Sequence, residues 1–199
     1  ESAIQFTSTG VSSTPTPVVH VTLQPGETRR FEDVLKQQLA VDGAVGTLTV
    51  DSAGTNGVYP VVQAETFDNT NPAKRFGQTT LAQGDKDTAG PGQGAYLVGL
   101  RQDAKFHTAF WITNPGTTPG TYDVIYRDLD GNQIGDTLTV NLLGGKSRAF
   151  QPTQHPLPAA GIANGFTVQV MVKSGKVLAA AQVIFNATND PAYVRGIVR

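Results

Sequence analysis

The side chains best suited to catalysis do not form a recognisable catalytic pattern in this chain. Its three histidines lie far apart, with His20 in a strand-like run, His107 beside an aromatic run and His155 before a proline. No serine lies in a G-x-S-x-G turn, and neither an H-E-x-x-H motif nor a glycine-rich strand-to-helix loop is present. The chain has no cysteine, which excludes disulfides and thiolate metal sites. We therefore expect a protein that is not an enzyme and that binds no cofactor.

One short acidic run offers oxygen atoms that a cation could use. Asp128, Asp130 and Asn132 stand at alternate positions along it. A calcium loop of the EF-hand type would place glycine sixth and glutamate twelfth, whereas Gly131 is fourth and Thr139 is twelfth. An Asp-Gly pair also takes the positive φ values of a tight hairpin readily. The pattern therefore favours a plain hairpin turn over a metal site.

Two similar polar segments end the two halves of the chain, 68–71 (DNTN) and 186–190 (NATND). Short polar side chains of these types bind the neighbouring backbone and cap turns. Their oxygens could also bind calcium, so that alternative stays open. We interpret the following residues as structural turns: Asp68, Asn69, Thr70, Asn186, Thr188, Asn189 and Asp190.

An aromatic run supplies the best candidate for a contact surface. Residues 106–113 alternate with a period of two, which is typical of a half-buried strand. Phe106, Phe110 and Ile112 form the better core face, which leaves Trp111 and His107 on the opposite face. An exposed tryptophan indicates either a subunit contact or a surface that stacks on a sugar ring. Trp111 and His107 are therefore our candidates for a binding or subunit contact.

The elements that must position these residues are short strands joined by turns. The 22 Gly and 12 Pro, together with abundant Thr and Val, are typical of an all-β protein. The predicted strands of the second half are Ala95–Leu100, Phe106–Thr113, Thr121–Asp128, Gln133–Leu142, Lys146–Phe150, Gly165–Lys173 and Val177–Asn186. Their number and lengths are typical of an immunoglobulin-like sandwich.

The first half of the chain repeats the second. Residues 21–26 (VTLQPG) align with residues 140–145 (VNLLGG), and Gly46 aligns with Gly165, in each case 119 positions apart (140 − 21). The second copy opens near Ala95, so the first copy would open about 24 positions before the first residue (95 − 119). We therefore expect the first copy to lack counterparts of the first two strands of the second.

This repeat predicts two immunoglobulin-like antiparallel β-sandwich units, the first of which lacks its N-terminal strands. Residues 1–77 form the incomplete unit, 78–94 a polar glycine-rich linker and 95–199 the complete unit. The predicted elements of the first copy are strands Ala3–Phe6, Val18–Leu23, Glu27–Phe31, Ala44–Val50 and Tyr59–Phe67, and a helical turn within Phe31–Leu39. A merged sandwich, in which the two copies share strands, remains the alternative.

Several segments resemble one group of proteins. Residues 97–114 (LVGLRQDAKFHTAFWITN), 128–136 (DLDGNQIGD) and 186–194 (NATNDPAYV) are similar to tandem sandwich modules of large secreted bacterial proteins. Gly77 and Gln78, which follow Arg75 and Phe76, look like a further segment of that group. The resemblance implies an immunoglobulin-like fold and a location outside the cytoplasm, and it implies no particular activity.

An incomplete sandwich exposes an unpaired strand edge and an open core, and both favour strand addition from another molecule. We therefore predict a non-catalytic secreted structural protein that self-assembles at or outside the cell surface. In this hypothesis it is a filament subunit completed by strand exchange between neighbours. The segment 1–18 is the better donor candidate, because Pro15 and Pro17 prevent a helix there. The alternative is an extracellular adhesion module that binds carbohydrate or protein.

Charge and hydropathy narrow the range of partners. The formal net charge is −1 and no cluster of Lys and Arg is present, which argues against nucleic acid. No apolar run approaches the roughly 18 residues that a membrane helix needs, so we expect no transmembrane segment. The expected partners are further copies of the chain, as a homo-oligomer or polymer, or a surface polysaccharide or protein.

Overall fold

The computed structural model describes residues 2–8, 18–42, 46–52, 60–67, 77–150 and 165–199. Most of these residues lie in antiparallel strands, which confirms the all-β prediction. The described strands are β1 Ser2–Ser8, β2 Val18–Val21, β3 Gly46–Ser52, β4 Gln63–Phe67, β5 Gly77–Leu81, β6 Gly94–Leu100, β7 Phe106–Thr113, β8 Gly120–Arg127, β9 Gln133–Leu142, β10 Ser147–Phe150, β11 Phe166–Ser174, β12 Leu178–Phe185, β13 Asp190–Arg195 and β14 Ile197–Val198. The described helices are a π-helical turn, Val34–Gln38, and a 3-10 turn, Asp85–Asp87. Within these ranges no helix has the length and apolar character needed to cross a membrane.

The chain divides into two compact units, Glu1–Val62 and Gln63–Arg199. The first unit contains β1 to β3, and the second contains the other described strands. This boundary falls before residue 77, where the sequence predicts the first unit to end. The reason is that β4 pairs with β5 as an antiparallel hairpin, and β5 lies beside β13. β4, which the sequence assigns to the first copy, therefore belongs to the second unit.

The second unit is a sandwich of two antiparallel sheets. One sheet has the strand order β10-β7-β12-β13 and the other has the order β14-β6-β11-β8-β9. Alternate side chains of both sheets point inward and form one apolar core. The rings of Phe110 and Phe150 stack at its centre, with centroids 4.5 Å apart. The largest fully buried side chains are Tyr122, Phe110, Phe150, Phe166, Leu97, Leu100 and Ile112.

Residues 78–94, for which the sequence predicts a linker, are instead bonded to the second unit. Residues 78–81 continue β5, and Asp87 forms an ion pair with Arg195. Ala89 and Val177 exchange two backbone hydrogen bonds of 2.9 Å. The glycines and polar residues of this segment therefore supply turns between bonded positions and do not act as a spacer.

The first unit holds a three-stranded antiparallel sheet of order β2-β1-β3. In this sheet Val19 lies opposite Ile4, and Ile4 lies opposite Val50. These three apolar residues form one row across a single face of the sheet. The next row on that face is Val21, Ser2 and Ser52.

The same three-stranded arrangement recurs in the second unit as β9-β8-β11. There Leu138 lies opposite Val124, and Val124 lies opposite Val170, and the next row is Val140, Tyr122 and Val172. The offset between the two rows is 119 for β2 (138 − 19) and 120 for β1 and β3 (124 − 4 and 170 − 50). The internal repeat is therefore visible in the strand order and in the register, with a one-residue shift that the sequence alignment does not detect.

Of the predicted elements of the first copy, one strand is absent from the structure and the helical turn is present. Glu27–Phe31 is not a strand, because the Glu27 carboxylate folds back and accepts hydrogen bonds from the Gln24 backbone at 2.7 Å and from Arg29 at 2.8 Å. The predicted helical turn within Phe31–Leu39 is present as Val34–Gln38, and Leu39 after it is buried.

The prediction that segment 1–18 donates a strand to a neighbour is wrong for its described part. β1 is the central strand of its own sheet and pairs with β2 on one side and with β3 on the other. Its backbone groups are therefore already committed within the unit. Pro15 and Pro17 lie outside the described residues.

Candidate functional site

His107 and Asn186 are brought together at one end of the second sandwich. His107 lies on β7 and Asn186 follows β12, and their Nδ1 and Oδ1 atoms are 2.5 Å apart. The Asn186 amide nitrogen donates to the Ala104 carbonyl at 3.0 Å, so its oxygen faces the histidine and Nδ1 is the donor. The Asn186 backbone N–H donates to Lys105 at 2.8 Å. Asn186 thus ties the end of β12 to the loop before β7.

The rest of segment 186–190 forms the turn between β12 and β13. The backbone N–H groups of Thr188 and Asn189 both donate to the Phe185 carbonyl, at 3.3 and 2.8 Å. The Thr188 hydroxyl accepts from the Asp190 backbone at 3.3 Å, and Asn189 has a φ of 57°, in the left-handed region. These polar groups are used in the turn. The matching residues Asp68, Asn69 and Thr70 lie outside the described residues.

Asp128 also uses its oxygens within a turn. Its Oδ1 accepts from the Asp130 and Asn132 backbones at 3.0 and 2.8 Å, and its Oδ2 accepts from the Asn132 side chain at 3.1 Å. The hydrogen bond from the Asn132 side chain, with the three backbone donors around it, lowers the pKa of Asp128. Gly131 supplies the positive φ of 86° that the hairpin needs. In the described ranges, no group of three or more His, Asp or Glu side chains could hold a metal ion.

Trp111 lies on the outer face of the β10-β7-β12-β13 sheet and is half-buried. In register it stands between Ala149 of β10 and Ala180 of β12, so small side chains flank the indole ring. Gln182 and Tyr193 form the next cross-strand pair on this face. A flat aromatic surface edged by amide and hydroxyl groups can stack on a sugar ring or on an apolar partner.

A shallow cleft of about 470 Å³ lies at the same end as His107. Phe106 and Phe185 form its aromatic wall, with centroids 5.3 Å apart, and the Arg101 guanidinium covers Phe106 at 4.2 Å. Asp103 pairs with Arg101 at 2.8 Å and so compensates its charge. The cleft therefore presents apolar surface and the ammonium group of Lys105, without a nucleophile and base in contact.

The open edge, which we define as the side of β3 away from β1, is the second candidate site. In the second unit the corresponding side of β11 is occupied by β6, which pairs Leu97 with Val168 and Ala95 with Val170. Among the described residues, β1 is the only strand that pairs with β3. The row of Val50 therefore stops at the strand where the equivalent row of Val170 continues into β6.

The face beside the open edge is less covered than its counterpart. Val168 and Val170 of β11 are fully buried, at 0% exposure. Leu48 and Val50 occupy the equivalent positions of β3, and Leu48 is 36% exposed while Val50 is half-buried. Ile4, in the centre of the sheet, is 7% exposed. The apolar face of the first sheet is thus covered at its centre and open toward β3.

Leu48 and Val50 were not predicted from the sequence as site residues. The signal was present, because Leu48 and Val50 alternate with Thr47, Thr49 and Asp51 along the strand, as is typical of a half-buried strand. Recognising it required the pairing order, in which no strand of the described part of the chain takes the place beside β3 that β6 takes beside β11. Arg101 and Phe185 of the cleft were also missed, because they are far apart in the chain.

Comparisons of this chain with family models, with curated proteins and with solved structures found no match. The internal comparison is between the two copies within the chain, since the second copy shows which strands a completed sheet of this type contains.

Proposed function

We propose that this chain is a non-catalytic structural subunit that self-assembles at or outside the cell surface, with a neighbour adding a strand at the open edge of β3. The observation that carries this proposal is the open edge of β3, at the position that β6 occupies in the second copy. A strand added there would continue the apolar rows of the first sheet. Strand addition produces a closed dimer when two copies pair the same edge, and a filament when each copy adds a different strand to the next.

The chemistry of β3 supports strand addition. An edge strand presents a row of backbone donors and acceptors, and proteins that avoid edge pairing protect such strands with proline, lysine or inward-pointing charges. β3 is seven residues long and contains none of these, because its one charged residue, Asp51, alternates with the inward-facing Val50 and Ser52. Its apolar residue Leu48 is exposed on the face that a completed sandwich would bury.

We also propose that the units are immunoglobulin-like and that the protein is secreted. Support for the immunoglobulin-like fold comes from a sandwich of four and five antiparallel strands in about 135 residues.

Support for secretion comes from the resemblance to modules of secreted bacterial proteins and from the low charge of the chain. Fractionation of the producing cells, with detection of the chain in medium, envelope and cytoplasm, tests the location.

Light scattering across a dilution series tests self-assembly. We expect species larger than one chain, and we expect Leu48→Lys to shift them toward the monomer, because assembly would bury the added ammonium group beside the partner strand. The matched control is Leu143→Lys, which places the same charge at a leucine that is 63% exposed in the turn after β9. A wild-type chain that is monomeric at every concentration would refute the proposal, as would an equal loss of assembly in both variants.

A binding module is the second candidate, and the outer face of the β10-β7-β12-β13 sheet favours it. Trp111 stands between Ala149 and Ala180 and keeps part of its surface exposed. In this case the ligand would be a surface carbohydrate or protein, and binding would not require assembly. Immobilised polysaccharides and loss of retention in Trp111→Ala test this function separately from the mass distribution.

A further inference from the structure

We infer that the occupant of the open edge is β3 of a second copy, antiparallel to the first, on a two-fold axis that passes between the two Thr49 residues. This inference rests on the proposed self-assembly and specifies its first contact. It joins two three-stranded sheets into one six-stranded sheet of order β2-β1-β3-β3-β1-β2. The pairing is isologous, so each copy presents the same strand to the other.

The residues of β3 match one another in this register. With Thr49 opposite Thr49, Leu48 of each copy faces Val50 of the other on the inner face. On the outer face, Thr47 faces Asp51. Apolar and threonine pairs of this kind stabilise antiparallel strands. All seven residues of β3 are then paired, from Gly46 opposite Ser52 onward.

Other antiparallel registers are less favourable. Directly opposed residues have their side chains on the same side of the sheet. The two copies of β3 can therefore shift past each other only in steps that keep Leu48 and Val50 on the inner side. Centring the pair on Val50 leaves five residues paired. Centring it on Asp51 places two carboxylates opposite each other and leaves three residues paired. The register centred on Thr49 therefore has the most pairs and no opposed charges.

The second copy of β3 would take the role that β6 has in the complete sheet. β6 runs antiparallel to β11 and places Leu97 opposite Val168 and Ala95 opposite Val170. In the inferred pair, Val50 of the partner copy lies opposite Leu48, which is the counterpart of Val168. Leu48 of the partner copy lies opposite Val50, which is the counterpart of Val170. The apolar rows that stop at β3 thus continue across the axis, as they do into β6.

Single cysteines test this register in the full chain, which has no cysteine of its own. Directly opposed residues have Cα atoms about 4.5–5.5 Å apart, within the roughly 4.4–6.8 Å of a disulfide. Thr49→Cys should therefore give a disulfide-linked dimer as the main product of mild oxidation. Thr49 is exposed, so the variant is expected to fold.

Asp51→Cys is the register control. Position 51 lies opposite position 47 of the partner, so the two substituted positions would be roughly 14 Å apart, four residues at about 3.4 Å each. We expect a linked dimer only as a minor product. Thr137→Cys, an exposed threonine on the edge strand β9, controls for random collision.

The outcomes separate this inference from the proposal on which it rests. Selective linkage at position 49 supports both. Assembly by light scattering without selective linkage at position 49 overturns this pairing and leaves self-assembly in place. A monomer by light scattering, with equal and slow linkage at positions 49, 51 and 137, overturns both.

Discussion

Tyr122 gives a sharp test of the second sandwich, because its ring is fully buried while its hydroxyl has a single defined role. The hydroxyl donates a hydrogen bond of 2.7 Å to the Lys176 carbonyl. Tyr126 lies four residues further along the same inward face of β8 and is also buried, at 6% exposure. Its hydroxyl donates no hydrogen bond to a described residue. The two tyrosines therefore differ mainly in this hydrogen bond. We predict that Tyr122→Phe destabilises the second unit and that Tyr126→Phe does so much less.

The size of the effect follows from the hydrogen bond. A typical intramolecular hydrogen bond contributes about 0.5–1.5 kcal/mol, and a carbonyl left without its donor adds to the loss when it is partly buried. We therefore expect Tyr122→Phe to lower the free energy of unfolding by about 1–2 kcal/mol. The ring and its packing remain, so no cavity contributes. Tyr126→Phe should lower the free energy of unfolding by less than about 0.5 kcal/mol.

The same two residues predict an alkaline loss of stability. Burial raises the pKa of Tyr122 and of Tyr126 from 10.0 to about 12. The unfolded chain releases these protons near pH 10, whereas the folded chain retains them until about pH 12. Their contribution to stability is therefore complete below about pH 10 and is lost as the pH rises from about 10 to about 12. Either phenylalanine variant should show a shallower decline over this window.

Urea unfolding followed by tryptophan fluorescence measures these effects, because Trp111 lies in the same unit. The wild type and both variants are compared at about pH 7, and again in steps between about pH 9 and pH 12. Equal destabilisation by Tyr122→Phe and Tyr126→Phe at neutral pH would refute the role of the Lys176 contact. A stability that is constant across the alkaline series would refute the buried, protonated state of the two phenols.

Two further predictions concern other parts of the second unit. Gly120→Ala should destabilise it by about 1–3 kcal/mol, measured by urea unfolding, because a Cβ at this position would clash with the Tyr122 hydroxyl. An unfolding midpoint equal to the wild type would contradict this close approach. Trp111→Ala should leave the mass distribution in solution unchanged if assembly occurs through β3. Loss of the large species in that variant would instead assign the contact to the outer face of the β10-β7-β12-β13 sheet.

Strands with strict alternation were predictable from the sequence. Phe106–Thr113 and Gln133–Leu142 begin and end at the predicted residues, because apolar and polar side chains alternate and turn residues bound each run. Gly77–Leu81 was not predicted, since its residues are mostly polar and its pairing with β4 depends on the backbone. Glu27–Phe31 shows the opposite error, because a strand was predicted there and none is present. The side chains of this segment are exposed or half-buried and do not pack in a core.

The repeat was predictable, but its register was not. The sequence alignment places Gly46 at the position of Gly165, an offset of 119 (165 − 46). The strand pairing places Val50 at the position of Val170, an offset of 120 (170 − 50). Register is set by the partner strand, which a linear comparison does not contain. The open edge could not be predicted for the same reason. It is recognised only when the neighbours of β11, the strand equivalent to β3, are known.

The different neighbours of β3 and β11 have a consequence for when each sheet is complete. β6 and β11 belong to one folded unit, so β6 meets its partner at a high effective concentration that dilution cannot change. A second copy reaches β3 only at the actual concentration of the protein. With the pairing proposed here, the second sandwich folds by itself in any volume, whereas the first sheet is completed only where the protein accumulates. The same three-stranded arrangement would thus form a permanent core in the second unit. In the first unit it would pair with a second copy at high protein concentration and separate from it on dilution.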